Sequence, residues 1–165
     1  MKKILVTGNA GSGKSTLGKS LAAFSGLPYF GMDQIVWKEN WQRASKEEEQ
    51  KKVAELVARE AWIIDGVSYE VMAAADTIVF LDMPRSVCFW RAAKRNRKYL
   101  FASRPGLPAS CPEILIVPKL IKIIWRFPKR VRPNILAEKD RRGTDFIHIR
   151  SDRDLKKYLA QNSKE

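Results

Sequence analysis

One stretch constrains this chain more than any other. Gly8-Asn9-Ala10-Gly11-Ser12-Gly13-Lys14-Ser15 matches G-x-x-x-x-G-K-[ST] at every fixed position. The aliphatic run Ile4-Leu5-Val6 precedes it and reads as a buried parallel strand. Leu17, Leu21 and Phe24 follow at helical spacing. Strand, glycine loop and helix, in that order, build a phosphate cradle. The glycines let the backbone curl so that successive N–H groups point inward. The helix behind the loop aims the positive end of its dipole at the same point. On a polyphosphate, Lys14 is expected to reach the β- and γ-phosphates and Ser15 to ligate Mg²⁺.

With 165 residues, the chain is long enough for one domain with its own core. Lys and Arg total 31 against 18 Asp and Glu. The excess is concentrated. Between Arg85 and Arg132 lie 13 basic residues and one acid, Glu113. A stretch so biased faces something anionic: nucleotide phosphates, nucleic acid or an anionic membrane surface. Cys88 and Cys111 are far apart and have no C-x-x-C partner, which argues against a zinc site or a disulfide framework. The apolar run after Met1-Lys2-Lys3 is too short for a signal peptide. Pro118, Lys119 and Lys122 interrupt the apolar stretch 114–127, so it reads as no membrane span. A cytoplasmic protein with no membrane partner is expected.

The first helix is expected to stop at Gly26, with Pro28 just beyond. Residues 27–33 read as a short second strand, or an extended segment, ending in an acid. Ser45-Lys46-Glu47-Glu48 fits a capping box, opening a helix with Val53, Leu56, Val57 and Ala61 on one face. Residues 62–66 and 77–82 read as the third and fourth strands. A helix follows from 85 to about 98, apolar at Val87, Trp90 and Ala93, with Arg91, Arg95 and Lys98 sharing another face. Residues 99–113 read as a loop. A short amphipathic helix is expected over 118–127, broken by Pro128, and another opens at Pro133. Residues 146–149 read as the fifth strand and 152–159 as a closing helix. The alternation predicts a parallel sheet covered on both faces, with ligands at the carboxyl ends of its strands. Gly8, Asp33, Asp65 and Asp82 are strand-end residues that surround one cleft in this arrangement.

These motifs together resemble the P-loop nucleoside monophosphate kinase superfamily. More narrowly, they resemble the adenylate-kinase-related family of DNA topology modulation proteins (FlaR-like). The resemblance covers nearly the whole chain. It rests on the glycine loop, on Met32-Asp33 followed by Trp37 and Trp41, and on Trp62-Ile63-Ile64-Asp65-Gly66. It continues through Phe80-Leu81-Asp82-Met83-Pro84-Arg85, Cys111-Pro112-Glu113 and Trp125-Arg126-Phe127-Pro128. It implies the three-layer α/β P-loop NTPase fold, with five parallel strands in the order 2-3-1-4-5. One domain would then carry a basic helical lid at about 91–132. The resemblance also implies ATP and Mg²⁺ as cofactors, and transfer of the γ-phosphoryl group to a nucleotide, nucleoside or other small hydroxyl compound. Adenylate kinases follow their Asp-Gly with Phe-Pro-Arg. Here Val67-Ser68-Tyr69 follows Asp65-Gly66, which argues against AMP as the acceptor.

The cofactor-binding set on this reading is Gly8, Asn9, Ala10, Gly11, Ser12, Gly13, Lys14, Ser15 and Thr16, with Arg150 flanking the adenine. Ser15 and Asp65 hold the metal, Asp65 as a Walker-B-type acid, although an Asp-Gly turn explains it too. Lys14 and Asp33 are expected to be catalytic, Asp33 by holding or deprotonating the acceptor hydroxyl. A helix-cap role for Asp33 stays open. Arg91, Arg95 and Arg126 are the expected lid arginines. Trp37, Trp41 and Tyr69 either line a pocket for a flat ring or pack the core. His148 has no acid or nucleophile at useful spacing and reads as structural. A second reading remains: an ATP-regulated protein that docks DNA or RNA through its basic segment.

Overall fold

The opening aliphatic run becomes the central strand. The structure is a computed structural model that describes residues 2–99, 101, 111–141 and 145–162. β1 (Lys3–Gly8) pairs in parallel with β3 (Trp62–Asp65) on one side and β4 (Thr77–Leu81) on the other. β2 (Tyr29–Gly31) extends the sheet beyond β3, and β5 (Asp145–Ile149) extends it beyond β4. The order β2-β3-β1-β4-β5 is the expected one.

Strands covered on both faces read as unbroken apolar runs. Ile4, Leu5 and Val6 are buried, and so are Ile63, Ile64, Ile78, Val79, Phe80 and Leu81. Alternate residues feed two cores. Leu5, Ile64 and Phe80 join Val53, Met72 and Ile135 on one face. Val6, Ile63 and Leu81 join Leu17, Cys88 and Ile124 on the other.

The helices are α1 (Lys14–Ser25), α2 (Met32–Val36), α3 (Lys46–Val57), α4 (Tyr69–Ala74), α5 (Arg85–Lys98), α6 (Glu113–Arg130), α7 (Arg132–Arg141) and α8 (Asp152–Asn162). α1 stops at Gly26 in the left-handed region, as expected. Ser45 and Glu48 form the reciprocal capping box that opens α3. Among the described residues, no helix is long and apolar enough to cross a membrane.

Several expectations need correction. β2 ends at Gly31, because Met32 turns off the sheet edge to bury its side chain against Gly66. Asp33 therefore sits in α2 rather than at a strand end. Ala61 lies beyond α3. Phe24 is exposed, since α1 buries Leu17, Gly18 and Leu21 instead. α4 was not expected, and the Ser68 hydroxyl accepts the Val71 N–H at its start. α5 buries Cys88, Ala92 and Asn96, leaving Trp90 69% exposed. Its orientation is set where the Cys88 backbone packs on Gly11. α6 runs straight through Pro118 and Pro128. Each proline forfeits one helical hydrogen bond. Burial of Ile116, Ile124 and Phe127 along the inner face offsets that loss.

Candidate active site

β1 delivers the glycine loop to the carboxyl edge of the sheet. Gly11 and Gly13 have φ of 78° and 100°, where only glycine is unstrained. A Cβ on Gly11 would also lie 2.3 Å from the Cys88 carbonyl oxygen. The Ser12 N–H donates to the Asn9 carbonyl at 3.2 Å, closing the loop. Lys14 Nζ lies 3.5 Å from the same carbonyl. Asn9 braces the loop at its start. Its Oδ1 accepts the Ala10 N–H at 2.8 Å, and its Nδ2 donates to the Ile124 carbonyl at 3.1 Å.

The Ser15 hydroxyl, in the first turn of α1, donates to the Asp65 carboxylate at the end of β3. Tyr29 packs its ring on Gly18, where an added Cβ would lie 2.8 Å from the ring. Its hydroxyl reaches Asp65 and Ser15. Burial, and then the Asp65 charge, push the Tyr29 phenol above its ordinary pKa. Ser15 and Asp65 are oxygen donors side by side, the set a hard divalent cation takes. Among the described residues, no cluster of three or more His, Cys, Asp or Glu side chains is placed to hold a metal. Two protein oxygens suit Mg²⁺, which keeps its waters and takes its other ligands from phosphate.

A cleft of about 810 Å³ opens from the loop. Lys14, Ser15, Asp33, Trp37, Arg91 and Arg95 are among the residues that line it. Trp37 and Trp41 meet edge to face at 5.4 Å, and the Lys119 ammonium lies 4.3 Å from the Trp37 ring centre. Trp41 Nε1 donates to the Pro112 carbonyl at 2.9 Å, which ties this wall to the start of α6. Both tryptophans therefore line the cleft. Tyr69 does not: it is exposed, and its hydroxyl accepts from Asn134 at 2.6 Å.

Among the expected arginines, Arg91 donates to the Ser12 carbonyl at 2.9 Å and pairs with Asp152. Arg95 lines the cleft and donates to Asn96 Oδ1 at 3.2 Å and 3.1 Å. Arg126 is exposed on α6, outside the cleft lining. Arg150 is also exposed and outside it, with Nη2 3.5 Å from His148 Nδ1. The structure thus brings Lys14, Ser15, Asp33, Asp65, Arg91 and Arg95 together, and leaves Arg126 and Arg150 apart.

Asp82 turns away from the cleft to a different task. Arg132 grips it through Nε and Nη2 at 2.8 Å each, and His148 Nε2 lies 2.9 Å from Oδ2. Burial acts to raise the Asp82 carboxyl, but the Arg132 and His148 hydrogen bonds outweigh it and hold the group below its usual range. His148 stacks on Phe80 at 5.3 Å, and in Asp82 it meets an acid that spacing along the chain did not reveal. Sequence reasoning missed Tyr29, Arg132 and the Ile124 carbonyl. A glycine inside α1 and a proline inside α6 were the available signals for the first and the last.

No protein-family profile matches the chain, and no curated protein matches it in sequence. Solved structures do match. Shikimate kinase from Bacteroides thetaiotaomicron aligns at a TM-score of 0.60 and 18% identity, over 98% of this chain and 96% of that one. Shikimate kinase from Acinetobacter baumannii, in complex with shikimate, aligns at 0.53 and 19%, over 98% and 92%. A gluconokinase from Sinorhizobium meliloti 1021 aligns at 0.51 and 16%, over 99% and 94%. This is the P-loop kinase fold. At such identities the likeness carries the architecture, and the substrate has to be argued from the cleft.

Proposed function

We propose that the protein is an ATP- and Mg²⁺-dependent phosphotransferase acting on the hydroxyl of a small acceptor. The convergence of Lys14, the Ser15–Asp65 pair and Asp33 on one cleft carries this reading. The loop amides and Lys14 hold the triphosphate. Ser15 and Asp65 hold Mg²⁺, which when bound offsets the charge of the phosphates. Asp33 orients the acceptor hydroxyl and takes its proton. The hydroxyl oxygen bonds to the γ-phosphorus as the bond to the departing ADP oxygen breaks. Arg91 and Arg95 offset the charge spread over the transferred group.

The structural relatives named for shikimate and gluconate support a small acceptor over a polymer. Kinship with adenylate-kinase-related, FlaR-like proteins rests on the sequence motifs alone. Closure of the basic segment at about 91–132 as a lid is part of this proposal. A cytoplasmic setting, where ATP is supplied, completes it. The test is ADP release from ATP against a panel of nucleosides, nucleotides and other small hydroxyl compounds. Release stimulated by one acceptor class supports the reading. Hydrolysis indifferent to every acceptor, with tight salt-sensitive binding of duplex DNA, overturns it.

A further inference from the structure

Proline inside a helix leaves one carbonyl without its partner. Pro128 has no N–H to give to the residue four before it, and that residue is Ile124. The proline ring also crowds that carbonyl and tilts it off the helix axis. Ile124 is among the most buried residues of α6, at 1% exposure, so its carbonyl oxygen is shut off from water. An unpaired buried carbonyl is costly, and here it has a partner from 115 residues away. Asn9 Nδ2 donates to it at 3.1 Å. Asn9 is itself buried, and its Oδ1 holds the next loop amide, Ala10 N–H, at 2.8 Å. Both ends of the Asn9 amide are thus committed, one to α6 and one to the phosphate loop.

We propose that Pro128 is a positioning residue for the phosphate loop: it frees the Ile124 carbonyl, which holds Asn9 and thereby sets the first turn of the loop. An ordinary helical residue at 128 would supply an N–H that competes for the same oxygen. The Asn9 amide would then lose a share of its anchor in a place where water cannot replace it. The loop amides would have to be ordered by the ligand instead of awaiting it. Pro118, in the same helix, provides the contrast. The carbonyl it leaves without a helical partner belongs to Ile114, which is exposed, so water can serve it.

The inference rests on the ATP-binding reading above, so its test carries one arm that needs no ATP. Pro128→Ala, Pro118→Ala, Asn9→Ala and the Asn9→Ala/Pro128→Ala double variant are compared with the wild type. Replacing a proline within a helix ordinarily strengthens it, so Tm should hold or rise in both proline variants. Hydrogen exchange of the loop amides, measured without nucleotide, should quicken in Pro128→Ala and Asn9→Ala and stay unchanged in Pro118→Ala. ATP affinity by calorimetry should fall about tenfold in the first two, and the double variant should lose no more than Asn9→Ala alone. A structural role by itself would move Tm and ATP affinity together, in the same direction. Unchanged loop exchange in Pro128→Ala would overturn the inference, as would losses that add in the double variant. A wild type that fails to bind ATP would sink the functional reading, while the exchange arm would still decide the role of Pro128.

Discussion

Ser15 and Asp65 are hydrogen-bonded across fifty residues of chain, one at the start of α1 and the other at the end of β3. The register of β1 with β3, which sets Val6 opposite Asp65, makes this contact possible. An expected Mg²⁺ ligand and an expected Walker-B acid thus meet without any rearrangement of the fold. Asp65→Asn keeps the shape of the pair and removes its charge. It should raise the Mg²⁺ concentration needed for half-maximal turnover by about ten- to a hundredfold. Asp33→Asn should leave that requirement alone while abolishing the response to acceptor. A Mg²⁺ titration of both variants checks the division, and identical titration curves would refute it.

Tyr29 reaches Asp65 only because residue 18 has no side chain. Gly18→Val should push the ring aside and cost about 1–3 kcal/mol of stability, as overpacking does. Adding Tyr29→Ala to that variant should recover part of the loss, since the clash is removed. Urea unfolding of the three variants measures this. A double variant less stable than the sum of the two single losses would contradict the contact.

Asp82 joins β4 to α7 through Arg132 and to β5 through His148. Its folded pKa lies below the ordinary carboxylate value, so its stabilisation is present above about pH 4 and is lost as pH falls through the folded value. Asp82→Asn should cost about 1–2 kcal/mol at neutral pH, allowing for the partial exposure of Arg132. It should also flatten the loss of Tm in acid. Melting curves from pH 7 down to about pH 3 test this, and an equally steep loss in the variant would exclude the role.

Arg91 and Arg126 were equal candidates in the sequence, and the structure separates them. Arg91 touches the loop at the Ser12 carbonyl, whereas Arg126 lies outside the cleft lining. Arg91→Ala should lower kcat by about a thousandfold, with Arg91→Lys a poor rescue. Arg126→Ala should act only to the extent that the basic segment closes. Single-turnover rates distinguish the two, and equal defects would place Arg126 at the transferred group.

The sheet was legible because its strands are short aliphatic runs and its loop motif allows little else. Leu5, Ile63 and Ile64 are apolar wherever a strand covered on both faces must be. The Ser15–Asp65 pair was legible too, since one residue closes the loop motif and the other ends a strand. The α6 region was misread because proline was taken as a stop. Its inner face, at Ile116, Ile124 and Phe127, buries enough to carry the helix past two prolines. Trp90 was misread because helical spacing alone does not say which face of α5 meets the core. The contact between Cys88 and Gly11 settles that, and it is a tertiary contact.

The most direct test of the account is phosphoryl transfer itself, followed by phosphorus NMR with the best acceptor from the panel. The wild type should convert ATP to ADP and a phosphorylated acceptor in equal amounts. Lys14→Ala and Asp33→Asn should both lose the acceptor product, Asp33→Asn while still binding ATP. Acceptor product formed at the wild-type rate by Lys14→Ala, or ADP accumulating with inorganic phosphate alone whatever acceptor is present, would contradict it.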